Sequence, residues 1–429
     1  MQNGLSKMLA EPSRKLKILI LGDPFSVHSM RWVKQLRETE WDVSLFCPVA
    51  PQWGAWANNS YHKKFEKLSK ELAPVSILTV TLNPIYWLLD VARQKLAYRI
   101  PSQTRLIESF LDNLLKKAWQ KKMANILKTG RFQIVHSLGI NQSWQNLCLP
   151  ILEQKKHGRL KAPWIYSSWG TDLTFYPGLS PQNRNDVENI IQSIDYYISE
   201  CKRDYDAALQ FGFRGHFLGF FPAFGGVDLE KMSQYRASGL ISERKNLYIK
   251  GRGTEDPVGR AMTILDALEK SRHFLDGYTI YIGQATTSIL KKALELKNNY
   301  GLKISILPYT ENPDEILNYI GSARISISIT INDGLPASLV EAMTLGAFPI
   351  FSNLASIGEW IKHGENGFLA DFDDSEQLAK SLQRALLEDE LVNHASQLNA
   401  KIIQEKLDAV LIREKTIAMY RQVAKLSSH

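Results

Sequence analysis

Short apolar runs recur along the chain, and between them the apolar positions fall three and four apart. The runs Lys17 to Gly22, Asp42 to Cys47, Ser76 to Leu82, Gln133 to Gly139, Asp195 to Glu200 and Gly215 to Phe221 read as strands, as does the run that opens at Pro163. A helix is expected after the first run, through Glu38, with Trp32, Val33 and Leu36 inward. The pattern resumes at Asn246 to Lys250, Thr279 to Gly283, Lys303 to Pro308, Ser326 to Ile331 and Phe348 to Ser352. Strand alternating with helix predicts an α/β protein built on parallel, doubly wound sheets. A chain of 429 residues is long enough for two such domains. Gly225-Gly226 and Asp228 mark the boundary, followed by a short polar linker to about Arg244. The division is therefore a first domain over 15–228, a second over 240–403 and a closing amphipathic helix within 404–429.

One stretch carries more chemistry than the rest. Ser326-Ile-Ser-Ile-Thr-Ile alternates as a strand, Asn332-Asp333-Gly334 is a turn signal, and Pro336 fits the first turn of a helix. That helix carries Leu339, Val340, Met343 and Leu345 and stops near Gly346. Its first amides, from Gly334 and Leu335 to Ala337 and Ser338, favour an anion, most naturally a phosphate. Glu341 lies about one turn inside, where its carboxylate can accept from sugar hydroxyls, and Asp333 sits in the loop. A phosphate site with two carboxylates beside it suits a nucleotide sugar. An ordinary strand–helix turn with two solvated acids has the same spacing, because the amide site recurs in parallel α/β folds.

Composition narrows the setting. Hydrophobic residues make up 44% and charged residues 22%, ordinary for a soluble protein with a large core. The three cysteines, Cys47, Cys148 and Cys201, are far apart and form no CxxC, which suits a reducing compartment and neither a disulfide framework nor a zinc site. No apolar run approaches the roughly 18–20 residues of a membrane span. The leader Met1 to Lys17 is polar, which predicts a short disordered start and a cytoplasmic protein. Charge is uneven: residues 1–225 hold 29 Lys/Arg against 18 Asp/Glu, net +11, and residues 226–429 hold 23 against 26, net −3. A basic first half suits an anionic partner such as lipid headgroups at the inner face of a membrane, or else is a surface of scattered solubilising lysines. Arg105 to Lys128, with Trp87, Tyr98 and Trp119 around it, reads as a basic amphipathic helix that lies on a membrane or packs on a sheet.

The segment Asp333-Gly-Leu-Pro-x-Ser-Leu-x-Glu-Ala-Met-x-x-Gly-x-x-Pro-Ile, continued by Gly358-Glu-Trp-Ile-x-x-Gly-x-Asn-Gly-Phe-Leu369, resembles the signature of retaining glycosyltransferases of family 4, also called group 1. That resemblance implies the GT-B fold: two Rossmann-like domains facing across a cleft, the first binding acceptor, the second binding nucleotide sugar, and a last helix crossing back to the first domain. It implies that Glu341 binds the ribose and that Asp333, in place of the commoner Glu, faces the donor sugar. Arg252, in Gly-Arg at the end of a strand, matches a cation on the donor diphosphate. The usual second cation, a lysine, is missing. Arg260 at the next helix start is its nearest replacement, and Lys250 is a possible third member. On the acceptor side the resemblance brings Gly22, Asp23 and His28 in the first loop, His136 after the fourth strand, and Asp172. His136 lacks its usual partner, since Leu138 stands at the second place of His-x-His. From the residues alone, His136 binds a sugar hydroxyl or satisfies a loop carbonyl, and Asp172 accepts from the acceptor or caps a helix.

The implied activity is transfer of a sugar from a UDP- or GDP-linked donor to a glycan or lipid-linked acceptor, with retention, no cofactor and no essential metal. Cell-surface polysaccharide or glycolipid synthesis is the expected setting. Asp371-x-Asp373-Asp374 is read as a turn and helix cap rather than a metal pair. The rival readings are a nucleotide-sugar epimerase or sugar-phosphate synthase on the same fold, and a sensor that binds donor without turnover. No RRM, KH or zinc-finger pattern supports a nucleic-acid partner.

Overall fold

The computed structural model describes residues 15–23, 26–47, 59–79, 121–142, 145–253, 255–308, 310 and 312–426. The first half forms a parallel sheet from strands β1 (Lys17–Leu21), β2 (Asp42–Cys47), β3 (Ser76–Thr79) and β4 (Ile134–Leu138), with β7 (Trp164–Ser167), β8 (Tyr196–Ser199) and β9 (His216–Phe220). A small antiparallel pair, β5 (Asn141–Gln142) and β6 (Gln145–Asn146), lies between β4 and β7 in the chain. The second half forms another parallel sheet from β10 (Asn246–Lys250), β11 (Thr279–Gly283), β12 (Lys303–Ile306), β13 (Ala323–Ser328), β14 (Phe348–Ser352) and β15 (Phe368–Ala370).

The strand orders are β3-β2-β1-β4-β7-β8-β9 and β12-β11-β10-β13-β14-β15. In each, the first strand sits inside the sheet and the chain winds outward from it in both directions. That is doubly wound topology, and each sheet has its switch point beside its first strand. β4, β7, β8, β13 and β14 are buried along their whole length, as parallel strands covered by helices on both faces must be. The two-domain α/β architecture read from the strand–helix alternation is the observed one.

Local details differ from the sequence reading in four places. The first helix is Val27–Lys34 and its expected continuation to Glu38 is turn, although Leu36 stays buried. Sheet pairing in the central stretch ends at Ser328, and Ile329 to Ile331 pair instead with residues 258–260. The alternation therefore continued past the strand because a second partner took it up. The linker is ordered: Leu229–Ser233 is helical, and buried Arg244 donates to the carbonyls of Ala237, Ala323 and Leu345. The closing helix is two, Asp389–Leu407 and Ala409–Leu426, broken at Asp408.

At that break the chain crosses itself. Val227 N donates to Leu407 O and Ala409 N donates to Val227 O, at 2.7 and 2.9 Å. Gly226 has φ +88°, and a Cβ there would meet Ala409 Cα at 2.9 Å, so glycine is needed for both reasons. The Ala409–Leu426 helix then packs on the first sheet. Tyr420 Oη accepts from Trp32 Nε1 at 3.1 Å and is 2.6 Å from His136 Nδ1. The expected 105–128 helix lies outside the described residues up to 120, as do Trp87, Tyr98 and Trp119; residues 121–130 are helical.

Candidate active site

The crevice between β10 and β13 marks the switch point of the second sheet. Lys250 is the last residue of β10, and Asp333 follows β13 in the neighbouring loop. Glu341 stands in the Ala337–Leu345 helix, which Pro336 caps from outside the first turn, and no side chain caps it. Pro336 O accepts from the amides of Leu339 and Val340, and the amides of Ala337 and Ser338 precede those first helical bonds. Leu335 is buried beneath this helix start. The Ser338 hydroxyl, in its first turn, is buried without a partner among the described residues.

Charge converges on this crevice from both domains. Burial lowers the Lys250 ammonium pKa, while the carboxylates of Asp333 and Glu341 support its charge. Burial raises the Glu341 carboxyl, opposed by the positive charges of Arg31 and Lys250. Arg31 belongs to the Val27–Lys34 helix of the first domain. It lines, with Glu341, Lys34, Arg413, Phe224 and Val340, an interdomain cavity of about 360 Å³. His28, from the same helix, is held neutral: burial first, then Arg31 and Lys250, pull it down to about 4. Its ring meets Trp169 edge-on at 5.4 Å, and His28 Nδ1 and Trp169 Nε1 are both buried without partners among the described residues. Such groups carry a desolvation cost that a hydroxylated ligand would relieve.

The two expected diphosphate arginines are already occupied. Arg252 Nε donates to Asp256 Oδ2 at 2.6 Å, and Asp256 Oδ1 accepts from the amides of Val258 and Gly259. Arg260 turns back to donate to Gly259 O at 2.6 Å. Lys250 carries no such bond among those described and is the cation that faces the two acids.

On the first domain, Gly22 and Asp23 follow β1 at the opposing switch point. His136 is where the sequence reading needs correction, and Asp172 turns one oxygen to the protein. His136 lies inside β4, not in the loop after it, and is fully buried. Its Nε2 is 2.7 Å from Ser167 Oγ and its Nδ1 bonds Tyr420, while burial pulls it down to about 3. It is a core residue because the strand runs two residues beyond it. Asp172 is 5% exposed and its Oδ2 accepts from Ile140 N, Trp169 N and Tyr166 Oη at 2.9–3.1 Å. Burial raises its carboxyl to about 7 despite those bonds. Through Oδ2 it pins the loops after β4 and β7.

Sequence reading missed Glu200, Arg203, Asn332 and Arg31. Glu200 follows β8, where the strand-end rule that singled out Asp172 applies equally. It accepts from Ala223 N at 3.0 Å and Gly170 N at 3.3 Å. Burial raises it to about 8, with Asp204 and Asp333 adding to the effect. Asp374 caps the Ser375–Leu387 helix by accepting from Glu376 N and Gln377 N. Among the described residues no group of three or more His, Cys, Asp or Glu is placed to hold a metal, and no helix is long and apolar enough to cross a membrane.

Residues 265–402 match the family described as "Glycosyl transferases group 1". No curated protein matches the chain. Solved structures resemble it over nearly its whole length at low identity. Anabaena HepE, in complex with UDP-glucose, aligns over 95% of this chain and 100% of its own with a TM-score of 0.62 at 14% identity. Sucrose-phosphate synthase from Thermosynechococcus elongatus aligns over 95% and 99% with 0.67 at 13%. A TarM mutant from S. aureus, in complex with Fondaparinux, alpha-GlcNAc-glycerol and UDP, aligns over 94% and 99% with 0.67 at 12%. The chain thus has the GT-B architecture: two Rossmann-like domains, with the family match confined to the second.

Proposed function

We propose that the chain is a retaining glycosyltransferase that moves a sugar from a nucleoside-diphosphate sugar, UDP- or GDP-linked, to an acceptor hydroxyl. The observation that carries this is the convergence of Lys250, Asp333 and Glu341 on the open start of the Ala337–Leu345 helix. Support comes from the structural relatives: HepE in complex with UDP-glucose, the TarM mutant in complex with UDP, and a sucrose-phosphate synthase.

In this reading the helix amides and Lys250 face the diphosphate, and Glu341 accepts from the ribose hydroxyls. Asp333 orients the donor sugar. As the bond from the anomeric carbon to the phosphate oxygen breaks, negative charge grows on the diphosphate, and preorganised donors there act where charge develops. The acceptor oxygen bonds the anomeric carbon on the same face, and its proton passes to the leaving diphosphate oxygen. Arg252 joins only by leaving Asp256. Closure of the cleft excludes water from the glycosyl centre. No metal is required for this charge balance. The acceptor is a glycan or lipid-linked glycan in cell-surface polymer synthesis, met in the cytoplasm or at the inner membrane face, where the basic first domain suits anionic lipid.

A second reading, a sensor that binds donor without turnover, is favoured by one feature: both expected diphosphate arginines are engaged by the protein itself. A release assay separates the two. UDP-, GDP- and ADP-sugars are screened by thermal shift, with and without cell-envelope extract as acceptor, against Glu341→Ala. Stabilisation by one donor, lost in the variant, with acceptor-dependent and EDTA-insensitive diphosphate release, supports the transferase. Binding without release under any acceptor supports the sensor.

A further inference from the structure

The loop that carries Asp333 is held from the other domain. Asn332 Nδ2 donates to Thr174 Oγ1 at 2.8 Å, and Arg203 donates to Asn332 Oδ1 at 3.2 Å. The same guanidinium donates to Gly170 O at 2.7 Å and pairs with buried Asp204 at 2.6 Å, so its fork is fully directed. Thr174, Arg203, Gly170 and Asp204 belong to the first domain, and Asn332 to the second. Gly170 packs directly on the loop: a Cβ there would lie 2.0 Å from Gly334 N. Glu200 faces Gly334 from the same side, its Oε2 2.6 Å from where a Gly334 Cβ would be.

A second seam lies beside the first. The Lys202–Gln210 helix has no side-chain cap of its own. Glu359 of the second domain supplies one, accepting from Lys202 N at 2.9 and 3.2 Å. Asn332 is 8% exposed, so an open cleft would leave its amide to water and its loop without these partners.

We infer that Asn332, Thr174 and Arg203 are positioning residues that set the Asp333 loop only when the domains are closed, with Glu359 as the companion latch. Closure and placement of the donor-facing carboxylate are then one event. Nucleotide binding alone, which the second domain performs, does not need it. This rests on the donor role of Asp333 and adds the coupling.

The test uses Thr174→Val, Asn332→Ala, their double variant and Glu359→Gln. Three quantities are measured on the full chain: affinity for UDP and GDP by calorimetry, transfer against donor hydrolysis, and the radius of gyration by X-ray scattering. The expected result is a transfer kcat lowered about tenfold or more, nucleotide affinity within about threefold of wild type, and more hydrolysis per transfer. The double variant should lose less than the two singles combined, since Thr174 and Asn332 share a bond, while Asn332→Ala alone also frees Arg203 and Thr174→Val alone also frees Gly170 O. Glu359→Gln, on an exposed side chain, should show a smaller shift in the same direction. Wild-type kcat and scattering in all variants would overturn the inference, as would equal losses in affinity and kcat, which mean general loosening. Should the wild type bind no nucleotide, the donor reading fails by itself. Scattering then still decides the latch: more open variants support it, unchanged ones sink it.

Discussion

Both domains bring polar residues to the carboxyl ends of their strands, and they use them in opposite ways. In the second domain Lys250, Asp333 and Glu341 face one crevice and leave one another's charge only partly compensated. In the first, His136 and Asp172 are held by protein: one bonds Tyr420 and Ser167, the other accepts three hydrogen bonds on Oδ2. For His136 the difference follows from depth. Lys250 closes its strand and Asp333 lies beyond one, whereas His136 is inside β4 with Leu138 still to come. A polar group inside a two-faced parallel strand must find its partners in the core. The first domain's side of the cleft also holds a different set, Arg31, His28 and Trp169, the last two with ring nitrogens that lack partners among the described residues.

The contrast breaks most visibly in turnover. Lys250→Ala should lower acceptor-dependent diphosphate release by about 100-fold or more, the scale for losing one preorganised donor at a developing anion, while thermal stability stays near wild type. Steady-state release assays check it, and a fall below tenfold would mean that Arg252 or Arg260 leaves its present partner to carry the diphosphate. His136→Ala should do the reverse. It removes two buried hydrogen bonds and leaves the Tyr420 hydroxyl short of a partner, at a cost of about 1–3 kcal/mol. Urea denaturation should show that loss, with the donor KM unchanged. A raised acceptor KM at unchanged stability would return His136 to the site.

Much of the architecture was legible because periodicity encodes it. Alternation, glycine at the strand ends and a proline-led helix start located the central stretch to within a residue or two: Pro336 is the cap rather than the first helical position. Fold-level spacing cannot report what a charged group meets. Nothing in Gly-Arg-Gly-Thr-Glu-Asp announces that Asp256 takes Arg252, although the four-residue separation admits it. The interdomain pairs are further from reach. Thr174 and Asn332 are 158 positions apart in sequence, and only the apposition of the two sheets brings them together. His136 was misplaced at its strand's end: the run Gln133 to Gly139 was read as a strand ending in a loop with His136, whereas β4 carries the ring inside the sheet with Ser137 and Leu138 still paired beyond it.

Glu200 belongs to neither pattern: it is fixed by first-domain amides and yet faces Asp333 across the seam. Its folded value of about 8 stands above its ordinary 4.5 because burial and the nearby carboxylates disfavour the charge. The folded state therefore holds a proton that the unfolded state releases, and ∂ΔG/∂pH is negative between those values. Its protonated form favours folding fully below pH 4.5, and that contribution is lost as pH rises to 8. His28 and His136 act in the opposite sense: pulled down to about 4 and 3 from 6.5, they weaken folding only as pH drops below 6.5. Wild-type curves mix these groups, so the informative quantity is the difference between Glu200→Gln and wild type. It should be flat below about pH 4.5 and favour the variant increasingly up to pH 8, by at most about 1.4 kcal/mol per pH unit. It should level off beyond that. Chemical denaturation at several pH values measures it. A flat difference across the range would mean that Glu200 is ionised and solvated at neutral pH, and that the seam beside Asp333 is open to water.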